Sequence, residues 1–215
     1  PFEGGAEGVW KVQIADGTVY PADTLVSTLD APSLAALLGS RLPRSGERLS
    51  ALASTRLAVV LQAFRPSRAG DAPRGFGILV PRGEGFRSLG LLHVSALFPV
   101  RGRGGVVLTT SIFGGALDPA APDMTESDLL GLAEREARRL HPRLGPRVVG
   151  RVLKWPAAFP RLPVGHHETL ALLEHALSEL NTGAERPRLV VTGSWRDGLG
   201  LGERIARAEE IAREL

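Results

Sequence analysis

The sequence predicts an α+β fold in which a mixed, largely antiparallel sheet carries covering helices, and three observations lead to it. Four strand-like runs, 56–64, 76–80, 89–98 and 106–113, follow one another across polar loops in the manner of a meander. Thr125-Glu126-Ser127-Asp128 resembles a capping box and opens a run with Leu129, Ala133, Ala137 and Leu140 at helical spacing, which His141-Pro142 ends. A strand, a glycine-bearing loop and a helix then succeed one another near the C-terminus, over 189–215.

The remaining elements follow from local chemistry. Val9 to Ile14 alternates apolar and polar residues, and Ala15-Asp16-Gly17 turns the chain into Thr18-Val19-Tyr20, a β-hairpin. The strand 24–29 runs into Asp30-Ala31-Pro32, where Asp30 caps a short helix bearing Leu34, Leu37 and Leu38 and stopped by Gly39. A second short helix is expected over 46–53. After the central helix come a strand over 148–155, a proline-rich crossing from Trp155 to Pro163, and a helix with Leu170, Leu173, Leu177 and Leu180 on one face. The last helix, from Glu203, is amphipathic through Leu201, Ile205, Ala208, Ala212 and Leu215, with Glu203–Arg207 and Glu209–Arg213 at i,i+4.

Composition removes whole classes of function. The chain has 215 residues, 43% of them hydrophobic, which is enough for a folded core. It has no cysteine, so disulfides, thiolate zinc sites, iron–sulfur clusters and cysteine nucleophiles are excluded. A net charge of +3 is too small to act as a polyanion-binding field, and no nucleic-acid partner is expected. Only Lys11 and Lys154 are lysine; the arginine bias reads as genome composition. No apolar run approaches the roughly 18–20 residues that span a bilayer. Because the chain starts at Pro1 and has its sole methionine at Met124, it is expected not to be a complete translation product.

Gly198-Leu199-Gly200-Leu201-Gly202 joins a strand to a helix, so backbone amides and the positive end of the helix dipole converge on one place suited to an anion or a carbonyl oxygen. It is not a dinucleotide fingerprint, which would need glycine where Glu203 stands.

The series Gly75-Phe76-Gly77-Ile78-Leu79-Val80-Pro81, Leu89-Gly90, Phe98-Pro99, Gly114-Gly115, Trp155-Pro156, Gly165-His166, then Gly193 with 198–201, resembles in order and spacing the second half of the protoporphyrinogen oxidase family, FAD-dependent enzymes of haem synthesis in the flavin amine-oxidase-like superfamily. The resemblance implies a substrate-domain sheet with covering helices over 31–160, flanked by parts of a Rossmann-like FAD domain at 1–30 and 161–215. It implies that Leu199, Gly200 and Leu201 lie against the flavin, with Gly193 and His167 also in contact with FAD. Phe76, Leu79, Leu92 and Ile112 fall where the family lines its tetrapyrrole pocket. The implied reaction is oxidation of protoporphyrinogen IX to protoporphyrin IX with oxygen as acceptor, and the fragment alone is expected to be inactive. The implied location is the cytoplasm, with peripheral contact at the inner face of the cell membrane and a homodimer left open. Coproporphyrinogen III as substrate, a non-catalytic tetrapyrrole- or partner-binding relative, and a more distant amine or carotenoid oxidase stand as alternatives.

The chain departs from the family pattern at Gly193-Ser194-Trp195-Arg196, at Glu203-Arg204 and at Phe159-Pro160-Arg161-Leu162. No residue is an evident general base, and the catalytic residues stay unknown. His166, His167 and His175 lack a His-x-x-x-His face, so no metal is expected. Ser194 lacks the nucleophile-elbow context, and His93 reads as a hydrogen-bonded sheet histidine. Arg101–Gly105 reads as a hairpin turn. Trp155 reads as a core or interdomain anchor, and Arg196 as the one arginine of interest beside the glycine loop.

Overall fold

The computed structural model describes residues 2–4, 10–38, 41, 43–102 and 104–215, and divides them into two compact units, 1–53 with 160–215 and 54–159. The first unit begins with β1 (Phe2–Gly4), β2 (Trp10–Gln13) and β3 (Val19–Ala22), a three-stranded antiparallel sheet. The expected hairpin is present, with Gly17 at φ +90° in its turn; Val9 lies outside the described residues. β4 (Leu25–Ser27) leads to α1 (Ala31–Leu38), where the Asp30 Oδ1 accepts a hydrogen bond from the Ser33 amide at 2.8 Å, as its capping role requires. The expected stop at Gly39 lies outside the described residues. α2 spans Pro43–Ser50 rather than 46–53.

The second unit is a five-stranded sheet under one long helix. Its strands are β5 (Ser54–Phe64), β6 (Gly77–Leu79), β7 (Ser88–Leu92), β8 (Val107–Gly114) and β9 (Arg147–Pro160), in the order β6-β7-β8-β5-β9. The meander expected from the sequence holds only for β6 to β8; β5 inserts between β8 and β9 and pairs antiparallel with β8, Leu57 opposite Gly114 through Phe64 opposite Val107. The run 89–98 is not one strand. β7 stops at Leu92 and α3 (Val94–Leu97) follows, because the His93 ring is bonded away from the sheet and Ser95 Oγ accepts from the Leu108 amide at 3.1 Å. The proline-rich crossing after Trp155 is likewise strand: β9 continues through Pro156, which an edge strand tolerates because its missing N–H is not needed in the ladder. Arg103, inside the expected turn 101–105, lies outside the described residues.

α4 (Glu126–Leu140) starts at Thr125, whose Oγ1 accepts from the Asp128 amide at 3.1 Å. It covers one face of the sheet. Strand period two puts Ala58, Val60, Phe64, Val107 and Phe113 on that face, all buried, against Leu129, Ala133 and Ala137. Glu136 is buried with them, and its two oxygens accept from the Arg87 and Ser88 amides at 2.8 and 3.0 Å, joining the helix to the start of β7.

The chain returns to the first unit with α5 (His166–Asn181), β10 (Leu189–Val191), α6 (Ser194–Asp197) and α7 (Leu201–Glu214). β10 pairs in parallel with β4. Leu34, Leu38 and Leu49 pack with Leu173, Leu177, Leu189 and Trp195, so α1 and α2, expected with the sheet domain in a division at residue 31, share the core of the first unit. Trp10 Nε1 donates to the Arg188 carbonyl at 2.7 Å and Trp195 Nε1 to the Leu29 carbonyl at 3.0 Å, which ties the two chain segments of this unit together. α7 departs from expectation: Ile211 is its buried residue, while Leu201 and Ile205 are exposed. Among the described residues no helix is long and apolar enough to cross a membrane.

Candidate functional site

The face of the sheet opposite α4 is apolar, and β6 to β8 shape a cavity of about 320 Å³ on it. Register explains the gathering. Gly77 stands opposite Leu92, Leu79 opposite Gly90, and Gly90 opposite Ile112, so side chains of one parity from three strands share one surface. Leu79, Leu92 and Ile112, singled out from the sequence, all line this cavity; Phe76 does not, and is 69% exposed ahead of β6. Leu57, Ile78 and Phe159 also line it and were not foreseen. Alternation along β5 marks Leu57, whereas Phe159 sits among prolines that give its segment no local strand signal. Gly90 is required by packing: a Cβ there would sit 2.6 Å from the Ile78 carbonyl oxygen.

The second group of singled-out residues surrounds the loop from β10 to α7. Asp197 Oδ2 accepts from Thr192 Oγ1 at 2.7 Å and from the Gly193 amide at 2.8 Å, so that amide is already engaged within the loop. Gly198 takes φ +97°, a conformation open to glycine, and the chain passes through Leu199 and Gly200 into α7. Leu199 and Leu201 are exposed, and the first-turn amides of α7 have no intrahelical acceptor. Glu203 folds back over this turn: a Cβ on Gly198 or Gly200 would lie 2.7 or 2.9 Å from its Oε2.

His166 Nε2 bonds the Trp195 carbonyl at 2.7 Å, which brings the start of α5, with exposed His167, to the same loop. Glu168 in that turn is held below the usual carboxylate range by the Arg48 guanidinium, 3.0 Å away. Arg196 is committed elsewhere: it donates to the Val191 carbonyl and to Glu174 Oε1, the latter at 2.6 Å. Trp155 is 52% exposed rather than a core residue of its unit. Among the described residues no group of three or more His, Asp or Glu is arranged to hold a metal.

Residues 4–205 match the family of flavin containing amine oxidoreductases, and the chain belongs to that family, whose members use a flavin cofactor. It is 37% identical over 158 residues to chloroplastic protoporphyrinogen oxidase of Nicotiana tabacum, covering 72% of this chain and 28% of that protein. It is 28% identical over 204 residues to coproporphyrinogen III oxidase of Propionibacterium freudenreichii, covering 95% of this chain and 37% of the relative. The fold matches a crystal structure described as a protoporphyrinogen oxidase of an Exiguobacterium species, with a TM-score of 0.79 and 16% identity, over 99% of this chain and 44% of the other. The chain thus spans less than half the length of each of these proteins.

Proposed function

We propose that the chain is the tetrapyrrole-binding and flavin-contacting part of an FAD-dependent oxidase that converts protoporphyrinogen IX to protoporphyrin IX, with oxygen as electron acceptor. The observation that carries this reading is the cavity on the sheet face opposite α4, where Leu79, Leu92 and Ile112 meet. A flat macrocycle needs apolar walls and little else for its ring system, and this cavity is lined almost wholly by aliphatic side chains.

For the flavin, the residues at the start of α7 fit. Their first-turn amides and the helix dipole suit the electron-rich edge of a flavin once the flexible Glu203 side chain, folded over that turn, swings aside, and exposed Leu199 and Leu201 suit its ring. His167, at the start of α5, is held to the same loop through its neighbour His166. Gly193, with its amide engaged by Asp197, would offer only its lack of a side chain. Bound there, a flavin would supply the two-electron acceptor that oxidation of a porphyrinogen needs, with oxygen to reoxidise it. The chain's own part is orientation and exclusion of water from the ring; the lost protons go to solvent or to neighbouring nitrogens. The cavity presents no general base, and a hydride transfer to a bound cofactor does not require one there.

The test is porphyrin fluorescence on adding protoporphyrinogen IX or coproporphyrinogen III to the protein with FAD and whatever upstream sequence its gene encodes. A rise with flavin absorbance supports the oxidase. No flavin absorbance and no rise with either substrate overturns it, and would favour a non-catalytic tetrapyrrole-binding relative. The second substrate is kept because the coproporphyrinogen oxidase relative matches 95% of this chain.

A further inference from the structure

We propose that the contact between His93 and His141 is an acid-sensitive latch on the cavity: it fixes the edge strand β6 as a wall, and a second proton on the pair releases that wall. Only the choice of ligand probe below rests on the tetrapyrrole reading.

β6 is three residues long and lies at the edge of the sheet, with β7 as its neighbour. Ile78 and Leu79 nevertheless line the cavity, so this wall has ladder bonds along one side only. His93, just past the end of β7, ties down the segment that enters β6. Its amide donates to the Phe76 carbonyl and its Nδ1 to the Arg74 carbonyl, each at 3.0 Å. A carbonyl only accepts, so Nδ1 carries a proton in this contact, and His93 meets His141 through Nε2, at 2.8 Å. His141 is the C-cap of the 15-residue helix α4, which gives the latch a firm anchor.

Counting protons shows when the latch fails. In the neutral pair, and in the pair with one added proton, one Nε2 donates and the other accepts. A second added proton sets two N–H groups and two positive charges face to face, and the rings must part. The Nε2–H of His93, buried with its residue, then lacks an acceptor, and turning the ring to satisfy it breaks the Nδ1 bond to Arg74. Burial, then repulsion from His93, holds the His141 imidazole below the usual histidine value, so the second proton arrives in mild acid. The other charged groups of the surrounding elements are not among those causes. In α4, Arg138 binds Glu134, Arg139 binds the Glu84 and Gly85 carbonyls, and Glu136 accepts from the Arg87 and Ser88 amides. The flanking loops bring Arg65, Arg74 and Arg143, the last 3.6 Å from Asp71, while β7 and α3 carry no acidic or basic side chain.

Amide NMR of the folded 215-residue chain, from about pH 7.5 to about pH 5.5, tests the latch without any variant. The Ile78 and Leu79 amide signals should shift with the midpoint of the later-titrating imidazole, while that of Val60 in central β5 stays in place. In His141→Gln, whose side-chain amide can donate to His93 but takes no proton, the shift should be lost. Protoporphyrin IX dimethyl ester is a probe with no carboxylate of its own to titrate. Its affinity should fall roughly tenfold over the same range for wild type, the equivalent of one pKa unit of coupling, and less than about twofold for His141→Gln. Ile78 and Leu79 signals that ignore the imidazole titration, or an equal loss of affinity in the variant, overturn the latch. Absence of ester binding at every pH overturns the tetrapyrrole reading instead, and the amide shifts still decide the latch.

Discussion

His93 and His141 meet ring to ring, Nε2 to Nε2 at 2.8 Å, across 48 residues of sequence. The other nitrogen of His93 bonds the Arg74 carbonyl at 3.0 Å, and the His93 amide donates to the Phe76 carbonyl at 3.0 Å. The pair therefore joins the end of α4 to the segment that enters β6, one wall of the cavity. One imidazole must donate and the other accept, so the contact requires that the two rings not both be protonated.

Burial, with a smaller repulsion from His93, holds the His141 imidazole below its ordinary value. Its folded pKa is depressed, so its contribution is fully present above the unfolded value near 6.5 and is lost as pH falls toward the folded value, because the unfolded chain takes up the proton first. The midpoint of denaturant unfolding should fall between pH 7.5 and pH 5. His141→Gln should flatten that dependence, and an unchanged slope in the variant would refute the assignment.

Glu136→Ala should destabilise the chain by about 3 kcal/mol in urea unfolding, since it strands the Arg87 and Ser88 amides beneath α4. Glu136→Gln keeps one acceptor oxygen and should lose less. If alanine and glutamine cost the same, the paired acceptance is not what matters.

Gly90→Ala should cost about 1–3 kcal/mol, because the added methyl meets the Ile78 carbonyl oxygen, a backbone atom that cannot turn aside. A thermal melt equal to wild type would show that β6 can move away from β7.

Leu79 is 86% exposed yet lines the cavity, which separates stability from binding. Leu79→Ser should leave the unfolding free energy within about 0.5 kcal/mol of wild type. Protoporphyrin binding should weaken by roughly tenfold, the loss of one leucine's burial against the ring. Equal binding by both forms would remove Leu79 from the wall.

Local chemistry along the chain is enough to place most elements and their type, the residues that share a face, the strand–glycine loop–helix unit and, through the order of its motifs, the family. These are local properties: period two or 3.6, a capping threonine at Thr125, a turn glycine at Gly17. Three of four candidate wall residues come together because alternation along a strand already encodes which side chains face the same way. Long-range packing decided that β5 lies between β8 and β9, that β9 runs on through Pro156, and that the chain leaves the sheet at His93. It also decided that the Gly193 amide is taken by Asp197 and Arg196 by Glu174. The physical reason is that strand order follows from which distant pairings bury the sheet's faces. A polar side chain's fate is likewise set by the donor or acceptor that packing brings to it, often from a segment dozens of residues away.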